Sequence, residues 1–146
     1  MIEQLLKDAT ENPRLFMWRG PLDQQTISAW SASNQIQIPP DLQQLWIATG
    51  GGDIFESETI LSPLANDPEY DIDVIDQHYW NSGVDAGLLI FHVGTWISAV
   101  RSEAPYYISM GTEKYGVVGE FDDLDSWYCA TVRKEYAERY GLAGPI

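Results

Sequence analysis

Apolar positions along this chain recur with two periods, a helical one and a strand-like one. Ile2 to Asp8 reads as a short first helix that ends before Asn12-Pro13. Leu15-Phe16-Met17-Trp18 is a brief apolar run broken by Gly20-Pro21. Asp23 suits the cap of a second helix whose apolar face is Ile27 and Trp30. The third segment is the clearest: Leu42, Leu45, Trp46 and Thr49 fall at i, i+3, i+4 and i+7, one face of a helix. Pro40 fits its first position and Asp41 the positive end of its dipole. Gly50-Gly51-Gly52 stops it, because glycine takes the left-handed conformation without steric cost.

Short strands follow. Ile54-Phe55 and Thr59-Ile60-Leu61 come first. Asp71 to Trp80 has Ile72, Ile75 and Tyr79 on one helical face. Four apolar runs then crowd together: Leu88 to Val93, Trp96 to Arg101, Tyr106 to Met110 and Val117 to Phe121. Strands this close in sequence cannot be joined by helical crossovers, so the sheet is expected to be antiparallel. A last helix is expected from about Leu124 to Tyr140, capped by Asp123 or Asp125 and closed by Gly141. Glu120, Asp122, Asp123 and Asp125 would all complement its N-terminus, with Arg133, Lys134 and Arg139 toward its negative end. The order predicts one α+β domain: an antiparallel sheet of about six short strands backed by helices.

Composition sharpens this picture through charge. Eight Lys and Arg face 22 Asp and Glu, a net charge of −14 over 146 residues. No Lys or Arg stands between Arg19 and Arg101, an interval that holds eleven acids from Asp23 to Asp85. Such a surface repels nucleic acid and anionic membrane, since phosphate binding needs Lys and Arg. It attracts basic partners and steers them at low salt. Six Trp and eight Tyr are many for this length, and aromatics anchor interfaces as well as cores. Cys129 is the single cysteine, so no intramolecular disulfide can form. The acid-bearing N-terminus does not read as a signal peptide, and no run of apolar residues is long enough to span a bilayer. The expectation is a cytoplasmic protein.

Ile38-Pro39-Pro40-Asp41-Leu42, then Leu45-Trp46, then Gly50-Gly51-Gly52 resembles the N-terminal signature of the SMI1/KNR4 (SUKH) superfamily: a Leu/Ile-Pro pair, an acid, an apolar helix and an Asn-Gly-Gly-like stop. The helix bearing Trp30 fits the family's first core helix, Asp85 to Phe91 its central strand, and Asp123 to Tyr136 its C-terminal helix. The resemblance spans about Asp23 to Tyr136, with Trp30, Ile38, Pro39, Leu42, Trp46, Gly50 and Gly51 as structural signature residues. Thr49 stands where the family usually has Asn, the stop has a third glycine, and Asn66 to Val84 is long and acidic for the family. The resemblance implies a sheet backed by helices and no enzymatic activity. Many bacterial members are immunity proteins that bind and silence a toxin domain; fungal members are scaffolds in cell-wall signalling.

Candidate chemistry in the residues themselves is sparse. His78 and His92 are the only histidines, and His92 lies inside an apolar strand, where a hydrogen-bonded core histidine is the plainer reading than a catalytic base. Cys129 shares a helical face with Val132, Tyr136 and Tyr140 and reads as core. Asp71, Asp73 and Asp76 lack the spacing of an EF-hand, although a looser oxygen-ligand site stays open. With Glu56 and Glu58 nearby, the plain reading of these acids is a solvated face. No catalytic, cofactor or metal residue is therefore assigned. The expected partner surface is Asp67, Glu69, Tyr70, Asp71, Asp73, Asp76, Tyr79 and Trp80: acids for steering and aromatics for anchoring. The plainer alternative is that Tyr79 and Trp80 are core. The leading expectation is an immunity protein for a basic toxin domain, a nuclease as the best guess. The alternatives are a scaffold or regulator of the same family, and a hydrolase with an acidic site.

Overall fold

The computed structural model describes residues 2–144. Its centre is a seven-stranded antiparallel sheet in which the strands lie side by side in chain order. They are β1 (Phe16–Trp18), β2 (Gly52–Ile54), β3 (Glu58–Ile60), β4 (Leu89–Val93), β5 (Ile97–Val100), β6 (Tyr107–Met110) and β7 (Val117–Phe121). The fold is α+β as expected, with seven strands and not six. The added strand is the run Phe16–Trp18, which stands between helical segments and far in sequence from its neighbours in the sheet. It is a strand because β2 pairs with it, Phe16 opposite Ile54 and Trp18 opposite Gly52.

The helices are α1 (Glu3–Glu11), α2 (Gln24–Ser33), α3 (Pro40–Thr49), α4 (Ile72–Asn81), α5 (Leu124–Tyr128) and α6 (Lys134–Tyr140). Helix α3 starts on Pro40 and stops at Gly50, which sits at φ +73°. A side chain there is doubly excluded: a Cβ on Gly50 would lie 1.8 Å from the Gly20 carbonyl oxygen. Thr49 takes part in the stop, its hydroxyl accepting the Gly51 N–H at 3.1 Å. Asp41 does more than favour the dipole. It is buried, receives the Tyr107 hydroxyl, and accepts the Leu124 N–H at 2.7 Å, tying α3 to β6 and α5.

The expected final helix is not uniform. A π-helical turn, Cys129–Arg133, separates α5 from α6. Arg133 on that turn is fully buried, with Nε 2.8 Å from the Asp8 carboxylate of α1. The Tyr128 hydroxyl donates to the same carboxylate at 2.6 Å. Asp123 caps α5, accepting the Ser126 N–H at 2.7 Å. Asp125 stands in the first turn of α5 without capping it, and its carboxylate accepts the Gln4 N–H of α1 at 3.1 Å. Glu120 is likewise committed elsewhere, paired with Arg101 across the sheet.

The register divides the sheet into two faces. Phe16, Trp18, Ile54, Glu58, Ile60, His92, Ser98 and Ser109 share one of them, and Trp127 of α5 bonds to it through Ser98. Met17, Asp53, Thr59, Val93, Ile97 and Met110 share the other. All four residues of β5 and all four of β6 are buried, so the middle of the sheet is covered on both sides. Helix α4 packs against β4 on the second face. Toward β1 to β3 that second face opens: Met17 is exposed, and Asp53, Thr59 and Val93 are only half-buried. No helix among the described residues is long and apolar enough to cross a membrane.

Candidate functional site

The acidic stretch leaves β3, runs through a loop and enters α4. Asp67 and Glu69 are exposed in the loop, where Asp67 accepts the Glu69 N–H at 3.0 Å in an Asx turn. Asp71 caps α4 by accepting the Asp73 N–H at 2.9 Å. Asp73 is exposed, and its carboxylate takes the Trp30 indole N–H at 3.1 Å.

Asp76 does not belong to this surface. Its side chain is fully buried, with Oδ1 accepting the Ile90 N–H at 2.6 Å and Oδ2 without a hydrogen-bond partner among the described residues. Desolvation, with the charge of Asp73 adding to it, outweighs the Ile90 bond and pushes its carboxyl up to about 8. The helical period contains the signal for this: Asp76 follows Ile72 by four and precedes Tyr79 by three, on the apolar face of α4. Tyr79 and Trp80 are half-buried and held from within. Tyr79 packs edge-to-face on Tyr115 with centroids 6.0 Å apart, and the Trp80 indole donates to the Leu88 carbonyl at 3.0 Å. They fasten α4 to the sheet.

Tyr70 stands at a different junction. Its hydroxyl donates to Asp53 on β2 at 2.6 Å, and Asp53 also accepts the Thr59 hydroxyl at 3.0 Å. The Arg19 guanidinium lies over the Tyr70 ring, 4.9 Å from its centroid. The Asp53 hydrogen bond, then desolvation and the charges of Asp53, Asp67 and Glu69, push the Tyr70 phenol up to about 12. The cation at one end of the cation-free interval thus folds back onto the Tyr70 ring. Arg19 and Asp53 are the members of this group that sequence reasoning omitted. Their proximity arises from the pairing of β1 with β2, across more than thirty residues.

The buried face of the sheet holds a Ser–His–Glu arrangement. His92 Nε2 is 2.9 Å from Glu58, and Nδ1 is 2.8 Å from the Ser98 hydroxyl. An ionised Glu58 only accepts, so Nε2 carries a proton toward it, while Nδ1 and the Ser98 hydroxyl share the second bond. Ser98 in turn accepts the Trp127 indole N–H at 2.8 Å. Burial disfavours a charge on Glu58, but the bonds from His92, Thr95 and Tyr136 outweigh it and hold the carboxyl below its ordinary value. All three side chains are buried. With no solvent exposure, the trio acts as a satisfied polar clamp joining β3, β4 and β5.

The signature residues are structural: Trp30, Ile38, Leu42 and Trp46 are buried, Pro39 half-buried, and Trp30 meets Trp46 edge-to-face at 5.8 Å. Ile38 and Pro39 also line a groove of about 690 Å³ with Ile36, Leu89, Tyr106 and Tyr107, away from the acidic loop. Among the described residues, no three His, Cys, Asp or Glu side chains converge to hold a metal ion. Compared with protein-family models and with curated proteins, the chain matches none. The SUKH resemblance therefore stands on the residues quoted for it.

Proposed function

We propose that this protein is a non-catalytic binding module of SMI1/KNR4 type, and that it acts as an immunity protein by covering a basic site on a toxin domain. The observation that carries the reading is the exposure of Asp67, Glu69 and Asp73, in an interval without any Lys or Arg. A nuclease cleft is built to hold phosphate, and exposed carboxylates compete for the same cations. The Pro-started, Gly-stopped α3 and the backing of the sheet by helices agree with the resemblance. A hydrolase has less support, because Ser98, His92 and Glu58 are sealed in the core.

Co-expression with a toxin domain encoded beside this gene tests the reading. Wild-type protein is expected to restore growth, and Asp67→Lys/Glu69→Lys/Asp73→Lys to lose that protection while remaining folded. Protection by the triple variant would remove the electrostatic mechanism. Absence of protection by the wild type, with capture of signalling proteins instead, would favour the scaffold.

A further inference from the structure

The most exposed apolar side chains of the described protein include Met17 at 67% and Leu64 at 60%. Both flank the Tyr70 junction. Met17 lies opposite Asp53 in the β1–β2 ladder, on the sheet face that α4 leaves open. Leu64 sits in the loop that carries Asp67 and Glu69, held at φ +56°, a conformation that residues with a Cβ rarely adopt. On the Leu64 side a hollow of about 260 Å³ is lined by Arg19, Pro21, Leu64, Ala65 and Asn66. Strand β1 forms one end of the sheet order, with β2 as its strand neighbour.

Charge at this face is uneven. Asp53, Asp67 and Glu69 all act on Tyr70, whereas Arg19 is the cation stacked on its ring. Three carboxylates against one guanidinium leave a negative excess beside exposed apolar surface. The outer face of α4 has Asp73 and a half-exposed Val74, but no comparable convergence of acids around an aromatic ring. Arg19 also displays the chemistry the site accepts: a planar cation over Tyr70, next to acceptors.

We propose that the open face of β1 to β3, bounded by Met17, Tyr70 and Leu64, is the docking surface for a protein segment that brings an Arg or Lys to the Tyr70 ring between apolar residues. The inference rests on the reading of the chain as a protein-binding module; it keeps Asp67 and Glu69 in the contact and replaces Asp73 of α4 with the open face of the sheet. Met17 and Leu64 supply the apolar contact and the acids select the charge. Arg19 holds the place that the incoming cation takes, so its removal frees the ring and deepens the negative excess.

The probe is a displayed random-peptide library selected against the immobilised full chain, followed by titration of the selected peptides. Selection is expected to enrich Arg or Lys flanked by apolar residues. Affinity for those peptides should fall roughly tenfold or more in Met17→Glu and in Asp67→Lys/Glu69→Lys. It should rise several-fold in Arg19→Ala, a gain that no loss of folding can imitate. Neutral or acidic winners, an unchanged or weakened affinity in Arg19→Ala, or no enrichment over a control protein would overturn the site. Binding abolished by Asp73→Lys/Val74→Glu and untouched by Met17→Glu would place the contact on α4, overturning this site while leaving the binding-module reading intact. Failure of the wild type to protect against its toxin is a separate result and bears on the immunity reading alone.

Discussion

Asp76 and Glu58 are two buried carboxyls with opposite titration behaviour, and the difference lies in their partners. Glu58 has His92, Thr95 and Tyr136 as donors, whereas Asp76 has the Ile90 N–H and a second oxygen with no donor among the described residues. An acid raised from 3.8 to about 8 keeps a proton in the native state that the unfolded chain has already released. Stability from this group therefore falls as pH climbs from about 4 to about 8. Asp76→Asn keeps an acceptor for Ile90 and removes the charge. Urea midpoints of the variant should stay level where those of the wild type decline, leaving the variant the more stable by roughly 1 kcal/mol or more at about pH 9. A wild-type midpoint that tracks the variant across this window would show that Asp76 is not the group responsible. Glu58 has the reverse sign. Its lowered value contributes stability above the ordinary 4.5, and that stability is lost as pH falls through the folded value. Glu58→Gln puts an amide where His92 and Thr95 donate, and should cost about 2–4 kcal/mol in denaturant titration at neutral pH.

Elements here are joined by single buried groups as much as by apolar area. The stop of α3 depends on a close backbone approach, since Gly50 meets the Gly20 carbonyl. Gly50→Ala is expected to cost about 2 kcal/mol or more, from positive φ and the clash together. Gly111→Ala is the control: a Cβ there meets nothing within 4 Å, and thermal melts should show a change within about 0.5 kcal/mol. The π-helical turn has a comparable function, aiming Arg133 at Asp8 so that the last helix grips the first. Arg133→Met leaves the Asp8 carboxylate buried opposite an apolar side chain and should destabilise by about 3–5 kcal/mol. A loss below about 1 kcal/mol would mean that water or a local rearrangement takes over the role of the guanidinium.

At the scale of the whole molecule the governing quantity is a net charge of −14. A basic partner approaching such a surface is steered over distances comparable with the Debye length, about 10 Å at 0.1 M salt. The association rate with a basic partner should therefore drop by roughly tenfold or more between low and high salt, with the dissociation rate nearly unchanged. Stopped-flow or surface binding across a salt series separates the two. A dissociation rate that carries most of the salt dependence would point to a few tightly packed ion pairs in place of long-range steering.

The pattern of apolar positions by itself determined the α+β class, the antiparallel sheet, the Pro40-to-Gly50 helix and the burial of Leu42, Leu45 and Trp46. These are local consequences of periodicity and of the φ preferences of proline and glycine, so neighbours along the chain suffice to specify them. The exposure of Asp67 and Glu69 was legible because Asn66 and Pro68 mark a loop. Strand β1 was not, because its short apolar run lies between helical segments, far in sequence from the other strands, and only the ladder with β2 makes it a strand. Asp76 sits in an acidic run, yet it faces β4, and the helix rotation that buries it is set by the packing of α4 on the sheet. Tertiary structure alone brought Arg19 over Tyr70, set Asp53 beneath the phenol, sealed His92 between Glu58 and Ser98, and left one face of β1 to β3 open. Each of these joins residues far apart in the chain, and a contact of that kind exists only once the backbone has closed around it.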